Sequence, residues 1–304
     1  MLSTYERTPH EGKVGRELPA APDRGNCPRS GHRGSGRRQR QMCIRDSSTD
    51  APTAEAAGGN VVVFGDSLTA NPDLYNYLAG KGLPLPNPVL SGSGCGTDNR
   101  FSDAVRDGSQ LPTDNYSCAG ASYRTGGMHI IDQINVARDR GALTPETRQV
   151  VLFAGTNDTY PYVLNDHMPV PQIRENLRAS ISDAARAARE AAPSAKIKIV
   201  GMPQVSNGAG EVCPVNVVPN LPMSLPFVQI GEIETALEDA GRAAASDTDS
   251  TWVSLKQVSR GHEMCSNDRW VTGLIDTTSE RRNLPLHMTD TGLRTIGNYV
   301  GEFK

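Results

Sequence analysis

The chain has 304 residues, 31 Lys and Arg against 34 Asp and Glu, 37% hydrophobic residues and only 5% aromatics. Such a composition is too apolar for a wholly disordered protein. A formal net charge of -3 supplies no overall basic field for nucleic acid phosphates, so no nucleic acid partner is expected. No apolar run approaches the roughly 18–20 residues of a transmembrane helix.

Residues 1–47 are rich in Arg, Gly and Pro and carry neither helical nor strand periodicity. They hold 10 Lys and Arg against 5 Asp and Glu, so the near-neutral total conceals an acidic remainder of 21 basic and 29 acidic residues, net -8. The string Met42-Cys43-Ile44-Arg45-Asp46-Ser47 back-translates to the end of a transposase adapter used in sequencing libraries. The expectation is therefore a disordered, non-native segment; the competing reading is a basic arm for polyanions. No apolar signal-peptide core is present in it, so a native export signal is expected to be missing. Residues 48–59 are small and Pro-containing, as in a flexible linker, and the folded domain is expected over 60–304.

Within that domain Val61-Val62-Val63-Phe64 reads as a strand buried on both faces and stopped by Gly65. A short helix is predicted over Asp73–Leu78, followed by a loop-rich stretch. Ile130, Ile131, Ile134 and Ala137 recur at helical spacing up to Gly141. Gln149–Phe153 is a second buried strand stopped near Gly155, Gln172–Ala192 a long amphipathic helix ended before Pro193, and Lys196–Val200 a third strand. A helix over Ile230–Ala245, a strand over Thr251–Leu255 and a closing helix over Thr289–Phe303, with Thr289 as N-cap, complete the series. Apolar strands alternating with helices imply a parallel sheet covered on both faces.

In open α/β sheets ligands gather at the carboxyl ends of the strands. The first strand runs into Gly65-Asp66-Ser67-Leu68, which puts a Ser hydroxyl at that edge; the bland alternative is a helix cap by Asp66 and Ser67. The second runs into Gly155-Thr156-Asn157-Asp158, where a neutral Asn amide suits a developing oxyanion, although an Asx turn would use the same residues. Gly120 in Cys118-Ala119-Gly120-Ala121-Ser122 offers a further backbone N–H. Of His129, His167, His262 and His287, only His287 lies in the loop leading to the terminal helix, from which an imidazole reaches over the sheet edge.

Taken together, Gly65-Asp66-Ser67-Leu68, Gly120, Gly155-Thr156-Asn157-Asp158 and Pro285-Leu286-His287 resemble the four ordered blocks of the SGNH (GDSL) hydrolase superfamily. Gly261-His262-Glu263-Met264-Cys265 followed by Trp270, with the cysteine pattern, is similar to secreted actinobacterial esterases and lipases. The resemblance implies a flavodoxin-like three-layer α/β/α fold, Ser67 as nucleophile and His287 as general base. It further implies an oxyanion hole of the Ser67 N–H, the Gly120 N–H and the Asn157 side chain, with Asp66, Gly155 and Asp158 in support. Most members carry Asp three residues before the His, where this chain has Leu284. A backbone carbonyl, assigned to Leu284, is expected to orient His287 instead, with Asp290 as the alternative acid.

Cys95, Cys118, Cys213 and Cys265 allow three pairings; spacing favours Cys95 with Cys118 and Cys213 with Cys265, against four reduced thiols. No CxxC, HExxH, Walker A, dinucleotide fingerprint or GxSxG string occurs, so neither a metal nor an organic cofactor is implied. The leading expectation is a monomeric, secreted or envelope-associated carboxylic ester hydrolase, an esterase or lipase with a small-molecule, lipid or glycan ester substrate. The alternatives are O-deacetylation of a carbohydrate or envelope glycolipid, and non-catalytic ligand binding on a degenerate hydrolase scaffold. The apolar segment Leu221, Pro222, Met223, Leu225, Pro226 and Phe227 is a candidate lipid-accepting lining, although it would serve equally as core.

Overall fold

A computed structural model describes residues 59–279 and 284–304. The expected non-native segment 1–47 and all but the last residue of the expected linker 48–59 lie outside the described residues. In chain order the elements begin with β1 (Val61–Gly65), α1 (Ser67–Ala70), α2 (Leu74–Gly80), α3 (Arg100–Ser109), β2 (Thr113–Asn115) and α4 (Ile130–Asp139). They continue with β3 (Gln149–Phe153), a 3-10 turn (Thr156–Asp158), α5 (Tyr160–Leu164), α6 (Val170–Ala191), β4 (Lys196–Val200), β5 (Glu211–Asn216) and β6 (Met223–Pro226). The series closes with α7 (Val228–Asp247), β7 (Thr251–Val253), β8 (Ile275–Asp276) and α8 (Asp290–Glu302).

Five strands form one parallel sheet in the order β2-β1-β3-β4-β7. Ranked by position in the chain this is the flavodoxin-like order 2-1-3-4-5, with helices on both faces. The period-2 alternation of strand side chains divides the core. Val62, Phe64, Val150 and Leu152 pack with Ile134, Leu177 and Leu237 of α4, α6 and α7. Val61, Val63, Val151 and Phe153 pack with Phe101 and Val105 of α3 and with Leu293, Ile296 and Val300 of α8. The expected three-layer α/β/α architecture is thus present.

Helix α3 corrects the loop-rich reading of its segment. Its sequence is polar; apolar Phe101, Ala104 and Val105 turn inward at the i, i+3, i+4 spacing of one narrow stripe, with Ser102 buried beside them. A fully buried Lys198 on β4 ties sheet to helix: its Nζ donates to Gln149 Oε1 at 2.7 Å and to the α8 carbonyls of Val300 at 2.6 Å and Gly301 at 3.2 Å. A cation there meets the negative end of α8 and fills two carbonyls that the helix leaves open, while burial pushes the ammonium pKa down to about 8.

A second sheet, not anticipated from periodicity, has the order β6-β5-β8, with β5 antiparallel to β6 and parallel to β8. Cys213 on β5 is bonded to Cys265, and Cys95 to Cys118, which is the pairing that spacing favours. By loop-closure entropy, loops of 23 and 52 residues would each contribute on the order of 3–4 kcal/mol. Both disulfides pin loops near the carboxyl edge of the main sheet.

Candidate active site

Strands β1 and β3 are neighbours with Gly65 opposite Phe153, so Asp66-Ser67 and Gly155-Thr156-Asn157 leave the sheet side by side. A Cβ on Gly65 would lie 2.5 Å from the Phe153 carbonyl, and Gly155 has φ +129, so both positions require glycine. Asp66 then N-caps α1, with Oδ1 accepting from Leu68 N at 2.8 Å. The capping alternative therefore holds for Asp66 while leaving the Ser67 hydroxyl free to face elsewhere. Burial pushes the Asp66 carboxyl up to about 7; the Leu68 amide opposes this rise and nearby Asp158 adds to it.

Ser67 Oγ lies 2.7 Å from His287 Nε2 across a separation of 220 residues. His287 Nδ1 lies 2.7 Å from the Pro285 carbonyl. A carbonyl only accepts, so Nδ1 carries the proton and Nε2 presents its lone pair to the serine O–H. Burial depresses the His287 pKa below 6.5, opposed by the Pro285 hydrogen bond, which favours the neutral, proton-accepting ring.

The carbonyl at Nδ1 is thus that of Pro285, one residue beyond the Leu284 carbonyl expected from sequence. The Leu284 oxygen is engaged elsewhere, accepting from Thr272 Oγ1 at 3.0 Å and from His287 N at 3.2 Å. Leu286 produces the difference: its φ of 63 is left-handed, uncommon for a branched side chain, and it folds the chain so that the imidazole turns back on Pro285. Two backbone bonds hold this kink, Leu286 N to Gly273 O at 3.2 Å and Thr272 N to His287 O at 2.8 Å. Asp290, the alternative acid, pairs instead with Arg100. His262, another of the four histidines, stacks on Trp270 at 4.1 Å, and its Nδ1 meets the Asp268 carbonyl at 2.6 Å.

The Gly120 loop is drawn to the same edge by the 3-10 turn. Asn157 Nδ2 donates to Ala121 O at 2.8 Å. Buried Asp158 accepts from the amides of Tyr123, Arg124 and Thr125 at 2.8, 3.0 and 3.1 Å. Gly120 itself has φ +81, a turn that presents backbone rather than side chain.

Two positioning residues were not foreseen. Gln133 of α4 is fully buried; its carboxamide accepts from Gly65 N at 3.0 Å and donates to Gly65 O at 2.9 Å, clamping the residue before Asp66-Ser67. The available signal was a Gln three residues after Ile130, on the otherwise apolar inward face of α4. Thr272, also buried, holds the His287 loop through its hydroxyl and its amide, and nothing in its local sequence marks it. Farther along that loop burial opposes ionisation of Asp276, yet the Arg269 guanidinium and the Gly273 and Thr278 amides outweigh it and hold the carboxyl well below the usual range. Among the described residues no three His, Cys, Asp or Glu side chains gather as a metal-ligand set.

An apolar groove of about 320 Å³, which takes in Leu286 immediately before His287 in the chain, is lined by Val212, Phe227, Ile230 and Met264 among others. Leu225, Pro226 and Phe227 of the anticipated apolar segment line it; Leu221 and Met223 do not, and stand exposed.

Residues 63–294 match the GDSL-like lipase/acylhydrolase family. Lipase 2 of Streptomyces coelicolor is 26% identical over 131 residues, a match spanning 42% of this chain and 43% of that protein. The crystal structure of an extracellular lipase from Streptomyces rimosus superposes with a TM-score of 0.51 at 16% identity, covering 80% of this chain and 97% of that one. Phospholipase A1 from Streptomyces albidoflavus NA297 gives 0.49 at 18% identity, with the same 80% and 97% coverage. With its sequence blocks in order and its match running through most of the α/β/α domain, the chain belongs to the GDSL-like lipase/acylhydrolase family.

Proposed function

We propose that the protein cleaves carboxylic esters through an acyl-enzyme on Ser67, with His287 as general base. The observation that carries this reading is the relay Ser67 Oγ, His287 Nε2, His287 Nδ1 and Pro285 O, with 2.7 Å at each hydrogen bond. Nε2 takes the hydroxyl proton as Oγ bonds to the ester carbon and the carbonyl electrons move to oxygen. The oxyanion is received by the Ser67 and Gly120 amides and by the second N–H of Asn157, the first being committed to Ala121 O. The tetrahedral intermediate collapses by breaking the ester C–O bond, and the imidazolium returns its proton to the departing alcohol. Water, deprotonated by His287, then releases the acid. Pro285 O fixes tautomer and ring orientation, the part usually taken by a carboxylate, but adds no negative charge beside the imidazolium.

The groove favours a hydrocarbon acyl chain over acetyl, since an acetyl group leaves most of about 320 Å³ unfilled. Two disulfides fit an oxidising compartment, so the protein is assigned to the exterior or the cell envelope. A fluorophosphonate tests the nucleophile: stoichiometric labelling of the folded protein, abolished in S67A, is expected. A folded but unlabelled protein would return the scaffold to a ligand-binding role. Chain-length profiling with nitrophenyl esters tests the acyl preference, and activity confined to acetate would favour the deacetylase reading.

A further inference from the structure

We propose that the small β6-β5-β8 sheet is the face by which the protein settles on a lipid–water interface, passing esters held there into the apolar groove. The feeding role rests on the ester hydrolase reading; the docking face itself does not. Residues 212–231 contain no Asp, Glu, Lys or Arg, where the chain average of 21% would place about four. Instead the segment exposes Val217, Val218, Leu221, Met223 and Leu225, with Leu221 67% and Met223 57% accessible. Every residue of β6 is exposed. Across β5, Val215 pairs with both Met223 and Ile275, which brings exposed Leu274 and Ile275 of the β8 side to the same small sheet. A contiguous apolar patch of this kind is costly in water unless something covers it.

Its position selects the occupant. Leu225, Leu274 and Leu286 are exposed and also line the groove, and Leu286 directly precedes His287. The patch is therefore the rim of the groove mouth. A protein partner or a second copy seated there would seal the mouth, whereas a lipid phase covers the rim and supplies substrate through it. Glu211, which opens β5, is turned to Asn207 at 2.8 Å, and Asp276 of β8 is held by Arg269. Neither acid is directed at the rim. Residues 212–231 hold no Lys or Arg to draw anionic headgroups, so what this segment offers a lipid phase is apolar surface.

Flotation of the full chain carrying S67A with phosphatidylcholine vesicles reads docking without turnover. The expected result is co-flotation that is indifferent to salt and weakened on the order of tenfold or more by the added pair L221S and M223S. Both side chains are exposed and outside the groove lining, so folding is not at stake. With Ser67 intact, the same pair is expected to leave nitrophenyl acetate turnover unchanged while lowering hydrolysis of vesicle-held ester by the same factor. The proposal is overturned if the S67A chain does not float, if the serine pair floats equally, if binding needs anionic lipid and fails in salt, or if the patch proves to hold a dimer by sedimentation. Flotation without any turnover of soluble esters by the Ser67 chain would sink the catalytic reading and leave the docking face standing.

Discussion

Replacing Thr272 by Val removes one hydroxyl from a buried position and leaves the shape almost unchanged. In the wild type that hydroxyl shares its proton between Leu284 O at 3.0 Å and His287 O at 3.1 Å, and accepts from His287 N at 3.2 Å. The accepted bond is shared too, because His287 N also points at Leu284 O at 3.2 Å, so the variant leaves Leu284 O with one donor and His287 N with one acceptor. Two shared hydrogen bonds correspond to about 1 kcal/mol of stability. The same bonds set where the imidazole stands over Ser67, and a displacement of about 1 Å in such a group costs on the order of a hundredfold in rate. Turnover of nitrophenyl acetate is expected to fall about tenfold or more with KM unchanged, because Thr272 does not line the groove. T272S keeps the hydroxyl and should recover most of kcat, which a loss of packing alone would not allow. Steady-state kinetics and urea unfolding of the three proteins decide it. A T272V enzyme with wild-type kcat would refute the argument that this hydroxyl positions His287.

Two further outcomes follow from ionisation. Burial depresses His287 below 6.5, so the acid limb of the kcat/KM profile, where the base protonates, is expected at lower pH than 6.5; a midpoint above it would show an imidazolium stabilised by a charge that the Pro285 carbonyl does not supply. Asp66 is raised from 3.8 to about 7, so between those values the folded state binds more protons than the unfolded one, and stability falls as pH rises. D66N keeps an acceptor for Leu68 N but cannot ionise, and its stability relative to wild type should climb across that window by up to about 1.4 kcal/mol per pH unit. Parallel denaturation profiles for the two proteins would contradict a buried, protonated Asp66.

Much of the fold was legible because strand burial and helix amphipathicity are written in local periods. Val61–Phe64 and Val150–Phe153 needed no neighbours to be read, since an unbroken β-branched or apolar run of that length is hidden on both faces wherever it sits, while Lys196–Val200 showed as Ile197, Ile199 and Val200 set among lysines. The edge strand Thr113–Asn115 was missed because an edge strand needs no apolar run, and the β5, β6 and β8 segments because they pair within an irregular stretch interrupted by Pro. Asp66, Gly155 and Asp158 drew notice through their motifs, but what each touches depends on partners tens of residues away.

By itself the sequence determined the alternation of strands and helices, the delivery of Ser67 and Asn157 to the same sheet edge, and a single histidine placed to meet them. These follow from side-chain chemistry and spacing along one chain. Tertiary structure decided which carbonyl faces His287 Nδ1, that Gln133 clamps Gly65, and that residues 212–231 form the rim of a groove. A backbone oxygen has no residue type to betray it; its direction is set by the dihedrals around it. Here the left-handed turn at Leu286, held by Thr272 and Gly273, gives the role to Pro285 rather than Leu284.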